Sequence, residues 1–121
     1  MPPKVSILIP CWNAERTLAA TLRSALNQTW PAIEVIAVDD GSTDGTLSIL
    51  RSFEKEGVRV LTQPNQGAGP AKNRAFREAS GDFIQYLDAD DLLSPDKIED
   101  QVRTLTEPGR EAEIAFCKWS H

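Results

Sequence analysis

The chain has 121 residues, 40% of them hydrophobic and 26% charged, which predicts one folded domain with its own apolar core. Its net charge of −5 argues against nucleic acid, which requires a basic face, so we expect no nucleic-acid partner. No apolar run approaches the roughly 20 residues of a membrane helix. The two cysteines, Cys11 and Cys117, indicate reduced thiols and a cytoplasmic setting, or the cytoplasmic face of the membrane in a longer native protein.

Short apolar runs separated by polar turns predict strands that alternate with helices. The strands are β-branched or continuously apolar, and the helices carry an apolar stripe at helical spacing. In chain order the predicted elements are strand 5–9, a helix capped by Asn13 and ending before Trp30, strand 33–38, a helix ending at Gly57, strand 58–62, a helix from Pro70 to Gly81, strand 83–87, a helix capped by Ser94 and ending before Pro108, and strand 114–117.

This alternation predicts the α/β class, with a doubly wound, mainly parallel sheet covered by helices on both faces. In such sheets, ligands bind beyond the carboxyl ends of the strands. Four unusual segments, 10–13, 39–40, 67–69 and 88–91, each follow one predicted strand. The sequence therefore predicts one ligand site at a single edge of the sheet.

Three acids, Asp88, Asp90 and Asp91, follow the predicted fourth strand directly. Neighbouring carboxylates repel one another unless a cation neutralises them, and a hard divalent cation prefers oxygen ligands of this kind. A solvated acidic turn is the alternative, and an isolated Asp-x-Asp motif would favour it. The other residues at the same edge favour a metal instead.

Those other residues suit a nucleotide diphosphate. Trp12 offers an aromatic face for a base, and Asp40 can accept from the N–H groups of a base. Lys72 and Arg74 supply cations from a neighbouring helix. Each has a structural alternative. Trp12 could be a core aromatic, Asp40 a turn residue, and Lys72 and Arg74 part of a solvated helix face. Together with Mg²⁺ or Mn²⁺ between carboxylates and phosphates, the set predicts nucleotide-diphosphate binding.

Four motifs, in order and at fitting separations, resemble a known family. They are Pro10-Cys11-Trp12-Asn13, the run from Val38 to Thr46, Ala71-Lys72-Asn73-Arg74-Ala75 and the run from Gly81 to Asp91. With these motifs the chain resembles the inverting family-two glycosyltransferases of GT-A fold. The resemblance covers the amino-terminal, nucleotide-sugar-binding half of that family's domain.

The resemblance implies a nucleotide-sugar donor, most often a UDP-sugar, bound with Mn²⁺ or Mg²⁺. The sugar would pass with inversion to a hydroxyl of a glycan, lipid or protein acceptor, as in cell-wall or polysaccharide biosynthesis. It also implies that Asp40 lies near the base, Asp88 near the ribose and Asp90 on the metal. The donor-binding residues that it implies are Pro10, Trp12, Asn13, Asp40, Lys72, Asp88, Ala89 and Asp90, with Asp88 and Asp90 as metal ligands.

Two positions depart from the family pattern. Trp12 stands where Tyr is usual, and Lys72 stands where Arg is usual, so the paired hydrogen bonds of a guanidinium are lost. The family's catalytic base lies in its second half, so we expect the base beyond His121. We expect the 121 residues to form a single domain truncated at its carboxyl end, without turnover on its own.

Two alternatives remain open. A non-catalytic nucleotide-sugar-binding module would use the same residues. A dinucleotide-binding domain would share the architecture, but it needs a Gly-x-Gly-x-x-Gly turn where this chain has residues 10–13.

Overall fold

The computed structural model describes residues 2–106, which form a four-stranded, all-parallel sheet with helices on both faces. The strand order β3-β2-β1-β4 reverses beside β1. The predicted fold class is therefore confirmed, while the predicted strand 114–117 lies outside the described residues. The elements are β1 (Val5–Cys11), α1 (Leu18–Leu26), β2 (Ile33–Asp40), α2 (Thr46–Ser52), a 3₁₀ helix (Glu54–Glu56), β3 (Arg59–Gln63), α3 (Ala68–Glu78), β4 (Phe83–Tyr86) and α4 (Lys97–Leu105).

The sheet separates two apolar layers, because successive side chains of a strand point to opposite faces. Ile7 and Ile9 of β1 pack in the larger layer with α1, α2 and α4. Leu8, between them, packs in the smaller layer against Ala71 and Ala75 of α3. Ile7, Leu8 and Ile9 are fully buried, because helices cover both faces of the sheet above and below this central strand. This buried strand holds the segment that follows it at a fixed place on the sheet edge.

Several predicted boundaries are wrong. β2 runs on to Asp40, α2 ends at Ser52 and not at Gly57, and α3 spans Ala68–Glu78 instead of Pro70 to Gly81. β1 runs through Pro10 to Cys11, because β4 ends opposite Leu8 and a proline beyond that point loses no hydrogen bond to β4. Helix α1 begins only at Leu18, so Asn13 does not cap it. Helix α4 begins at Lys97, after a turn in which the Lys97 N–H donates to the Ser94 carbonyl, so Ser94 is not its cap.

The helices are short and amphipathic. Helix α4 buries Ile98, Val102 and Leu105, which are the positions that its periodicity predicts. The longest helix, α3, has 11 residues, and within residues 2–106 none has the length and apolar character needed to cross a bilayer.

Candidate functional site

A cleft of about 520 Å³ opens at the carboxyl ends of β1, β2 and β4. Its volume lies in the range typical of small-molecule sites, and it lies where the strand order reverses. The predicted meeting of Asp40 and Asp90 at one edge is confirmed. Of the eight residues that the resemblance implies, seven line this cleft: Pro10, Trp12, Asn13, Asp40, Asp88, Ala89 and Asp90.

The Trp12 side chain is an exposed aromatic surface of this cleft. It is 57% exposed, so the alternative of a core aromatic is wrong. A large ring left open to solvent beside a cavity is an unusual feature of a folded domain, since such rings are mostly buried. Its face can take a flat, aromatic ligand.

Hydrogen bonds tie the segment after β1 to the turn after β2. Asn13 has a φ of 46°, a conformation that Asn tolerates better than most residues. Its Oδ1 accepts from the Thr43 N–H at 2.8 Å, and the Ala14 N–H donates to Thr46 Oγ1, also at 2.8 Å. Asp44 closes the turn by accepting from the Thr46 N–H, and the Thr46 hydroxyl lowers the pKa of Asp44. These hydrogen bonds hold the backbone of the segment that contains Trp12.

The Asp40 carboxylate accepts four hydrogen bonds from the segment that joins β3 to α3. Oδ1 accepts from the Gln63 amide and from the Gln66 N–H, both at 2.9 Å. Oδ2 accepts from the Asn65 amide at 3.2 Å and from the Gly67 N–H at 2.9 Å. Burial acts to raise the pKa of Asp40, but the donors outweigh it and lower the pKa. Asp40 therefore holds one wall of the cleft in place as an anion.

Two glycines allow this loop to lie against the turn after β2. Gly67, whose N–H donates to Asp40, has a φ of 106°, a conformation that favours glycine. Gly41 has a φ of 69°, and a Cβ at that position would lie 2.5 Å from the Asn65 backbone nitrogen. Any larger residue at position 41 would push the two segments apart.

The acids after β4 lie on the other side of β1 from Asp40, because β2 and β4 flank β1 in the sheet. Asp88, Asp90 and Asp91 each offer a carboxylate oxygen, and these oxygens lie within 4.8 Å of one another. The Asp91 N–H donates to the Asp88 carbonyl at 3.0 Å, which closes the turn. Two oxygens bound to one ion at about 2.1–2.5 Å lie at most about 5 Å apart, so this group fits a hard divalent cation.

A polar stripe on α1 positions that acidic turn. The hydroxyls of Thr17 and Thr21 both donate to the Ala89 carbonyl at 2.9 Å. Further along, Ser24 Oγ accepts from the Leu93 N–H at 3.1 Å. Sequence reasoning missed these residues, although Thr17, Thr21, Ser24 and Gln28 recur at helical spacing beside the leucine stripe.

Lys72 is the one implied donor residue that does not line the cleft. Its ammonium lies 5.7 Å from the centre of the Tyr86 ring, a cation–π contact on the flank of the sheet. Arg74 donates to the Thr62 carbonyl at 3.3 Å. The donor role of Lys72 stays a prediction.

Cys11 also lines the cleft, but its thiol is chemically quiet. Burial, and then the charge of Asp39, raise the pKa of Cys11 to about 12. Its Sγ donates to the Ile9 carbonyl at 3.3 Å. A thiol held protonated in this way is a packing residue and not a nucleophile.

The all-parallel sheet of this order, with its cleft at the carboxyl edge, has the GT-A fold, since solved glycosyltransferases superpose on it with TM-scores of 0.80 and 0.81. The sequence model of glycosyl transferase family 2 matches residues 6–119, and the chain belongs to that family. Membership sets aside the dinucleotide-binding alternative.

Curated and solved relatives agree with this assignment. The chain is 39% identical over 102 residues to the UDP-Glc:alpha-D-GlcNAc-diphosphoundecaprenol beta-1,3-glucosyltransferase WfgD of Escherichia coli, covering 84% of this chain and 40% of that protein. S. aureus TarS 1–349 in complex with UDP-GlcNAc superposes with a TM-score of 0.81 at 31% identity, over 86% of this chain and 31% of that one.

A second solved relative carries a metal. The mannosyltransferase PcManGT from Pyrobaculum calidifontis, in complex with GDP-Man and Mn²⁺, superposes with a TM-score of 0.80 at 28% identity, over 89% of this chain and 34% of that one. The chain spans 34%, 42% and 47% of the lengths of three of its curated relatives. It therefore matches a part of each of them.

Proposed function

We propose that this domain binds the nucleotide-sugar donor of a glycosyltransferase that passes the sugar, with inversion, to an acceptor hydroxyl. The observation that carries the proposal is the placement of an exposed Trp12 and a group of carboxylates, Asp88 and Asp90, in one cleft of about 520 Å³. An aromatic ring suits a base, and a metal held by acids suits a diphosphate. The cleft thus has one end for each half of a nucleotide diphosphate.

At the base end, Trp12 stacks on the base and Pro10 packs beside it. Asp40 has about four acceptor positions, and the loop fills all four. A base N–H would therefore replace one of the side-chain donors, Gln63 or Asn65, while the Gln66 and Gly67 backbone bonds keep the wall in place. Asp40 acts both on the base and on the shape of its pocket.

At the diphosphate end, Asp90 and Asp88 would hold Mn²⁺ or Mg²⁺, with Asp91 supporting the group. A bound dication supplies Lewis acidity, which neutralises the charge that develops on the leaving diphosphate. The chain's own part is to aim the acids: the Ala89 carbonyl is anchored on α1, and this fixes the turn between the two ligands. The Mn²⁺ in the P. calidifontis mannosyltransferase complex supports this choice of metal.

We propose a UDP-sugar as the donor and a glycan, lipid or protein hydroxyl as the acceptor. UDP-GlcNAc is present in the TarS complex, and the name of the E. coli relative contains UDP-Glc. The base that deprotonates the acceptor would come from the part of the domain that the relatives possess beyond this match. A cytoplasmic location remains a prediction from cysteine usage.

The donor site is tested by calorimetry with UDP-GlcNAc and GDP-mannose, each with Mn²⁺ and with a chelator. We expect UDP-GlcNAc to bind about tenfold more tightly with Mn²⁺, a gain of roughly 1.4 kcal/mol. Asp90→Asn should remove that gain. Asp100→Asn, the same change at an exposed acid of α4, should keep it. Equal affinity with and without metal in the wild type would reject the metal role.

The non-catalytic module binds the same donors, so binding alone does not separate it from an enzyme. Release of UDP from UDP-GlcNAc in the presence of candidate acceptors, measured on the longest form of the protein, separates the two. Acceptor-dependent release supports the transferase, and binding without release supports the module.

A further inference from the structure

A second groove, of about 340 Å³, lies on the flank of the sheet between the end of β3 and helix α3. Gln63 and Gln66 form one wall, and Asn73, Arg74 and Arg77 form the other. None of these five residues lines the donor cleft. The groove is therefore a separate concave surface, which the proposed donor site does not use.

The two arginines of this groove have no acidic partner within the described part of the chain. Seven arginines lie in residues 2–106, and four of them, Arg23, Arg51, Arg59 and Arg103, each pair with a glutamate. No ion pair among these residues includes Arg74 or Arg77. In a chain of net charge −5, this leaves a local site of positive charge.

The two arginines also belong to the same helix and are close in sequence. Arg74 and Arg77 are three residues apart on α3, so like charges lie on neighbouring turns and repel each other. An anion between them would remove that repulsion. Arg74 is already oriented by its bond to the Thr62 carbonyl, which leaves other N–H groups of its fork to donate elsewhere.

We propose that this groove binds a phosphate group. Guanidinium groups match phosphate oxygens with paired hydrogen bonds. The side-chain amides of Gln66 and Asn73 add neutral donors from the two walls. Donors on several sides suit the three or four oxygens of a phosphate better than the two oxygens of a carboxylate. The volume admits a phosphate ester with part of the group that it carries.

The groove shares a wall with the donor cleft. The Gln63 amide and the Gln66 N–H both donate to Asp40 Oδ1 at 2.9 Å, while both residues line the groove. A ligand in the groove would thus lie on the other side of the loop that Asp40 holds. The proposal does not depend on the donor site, because it rests on Arg74 and Arg77 alone for its charge.

Titration with inorganic pyrophosphate tests the site, with binding measured by amide NMR and by calorimetry. A chelator is present throughout, so that pyrophosphate does not bind through a metal in the donor cleft. We expect amide shifts in 62–66 and 73–77, and a dissociation constant about tenfold higher in Arg77→Gln. Arg77 is exposed, so its replacement leaves the fold intact. Lys55→Gln, the same charge change on the 3₁₀ helix, should leave the affinity unchanged.

Three results would overturn the proposal: unchanged affinity in Arg77→Gln, an equal loss in Lys55→Gln, or shifts confined to 88–91. Donor binding is an independent control. Arg77→Gln should have the wild-type affinity for UDP with Mn²⁺, whereas Asp90→Asn should lower the affinity for UDP and leave the affinity for pyrophosphate unchanged.

Vesicles of phosphatidylcholine with and without phosphatidic acid identify the source of the phosphate. Arg77-dependent binding to the acidic vesicles identifies a lipid headgroup, and pyrophosphate binding without vesicle binding identifies a soluble phosphate ester.

Discussion

Replacing Asp40 by Asn should destabilise the domain as well as weaken donor binding. Asp40 is 3% exposed, and its carboxylate accepts from four donors in the end of β3 and the β3–α3 loop, two on each oxygen. Asn offers one oxygen and one NH₂ group. In either orientation of the amide, two loop donors would face a donor instead of an acceptor. The loop that forms one wall of the cleft would then lose half of its anchoring.

The size of the effect follows from those lost bonds. A hydrogen bond to a charged group contributes about 1.5–3 kcal/mol, and Asn removes two of them and weakens the others. Gln66 and Gly67 are exposed, so water can satisfy part of what the loop loses. We therefore expect Asp40→Asn to lower the free energy of unfolding by about 2–4 kcal/mol, a large share of a small domain's stability.

Urea unfolding at pH 7, followed by circular dichroism, measures this loss. Asp90→Asn is the matched control, because it removes the same charge from an exposed acid of the same cleft, and it should change the stability by less than about 0.5 kcal/mol. An Asp40→Asn midpoint equal to that of the wild type would refute the anchoring role.

The same anchoring predicts a pH dependence. The pKa of Asp40 is lower in the folded chain than in the unfolded one, so its stabilisation is complete above the unfolded value of about 3.9. That stabilisation is lost as the pH falls through the folded value. The gap between wild type and Asp40→Asn should therefore be full at pH 7 and should narrow in acid below about pH 4. A gap that is constant with pH would show that the charge of Asp40 is not involved.

Thr21→Val should lower the free energy of unfolding by about 1 kcal/mol and weaken Mn²⁺-dependent UDP binding, because the Ala89 carbonyl loses one of its two hydroxyl donors. Thr21→Ser keeps the hydroxyl and should restore metal-dependent binding in calorimetry, and failure of this rescue would separate the hydroxyl from the metal site. Cys11 should resist alkylation by iodoacetamide at pH 8 in the folded chain and react in urea, because its pKa of about 12 keeps it protonated. Peptide mapping separates alkylated Cys11 from alkylated Cys117, and labelling of Cys11 as fast in the folded chain as in urea would contradict the burial of this thiol.

The sequence predicts those parts of the site whose positions depend only on the ends of the strands. A parallel sheet brings the residues after its strands to one edge, so Trp12, Asp40 and Asp90 meet whatever the details of the loops. The side of helix α3 from which the Lys72 side chain projects could not be predicted in the same way. Helix α3 begins at Ala68 and buries Ala71 and Ala75, so the next residue after Ala71 turns about 100° away and reaches Tyr86 instead of the cleft.

The anchoring of Asp40 could not be predicted because its partners lie 23 to 27 residues away. They belong to the end of β3 and the segment after it, and no local pattern around Asp40 encodes that approach. The polar stripe on α1 is different, since its spacing is visible in the sequence. What the sequence did not show is that the Ala89 carbonyl would be the shared acceptor of Thr17 and Thr21.

The residues proposed to bind the base and the diphosphate are both positioned by the part of the chain from β1 to α1. Trp12 lies between these elements, and Thr17, the residue before α1, and Thr21 of α1 hold the Ala89 turn that carries the acids. In the proposed donor site, this arrangement would set the distance between the base end and the diphosphate end before a donor binds, which would reduce the ordering that binding requires. The wall of the cleft that Asp40 holds is formed by the β3–α3 loop instead. Asp40→Asn and Thr21→Val act on separate elements with no shared partner, so their effects on UDP affinity should add in the double variant.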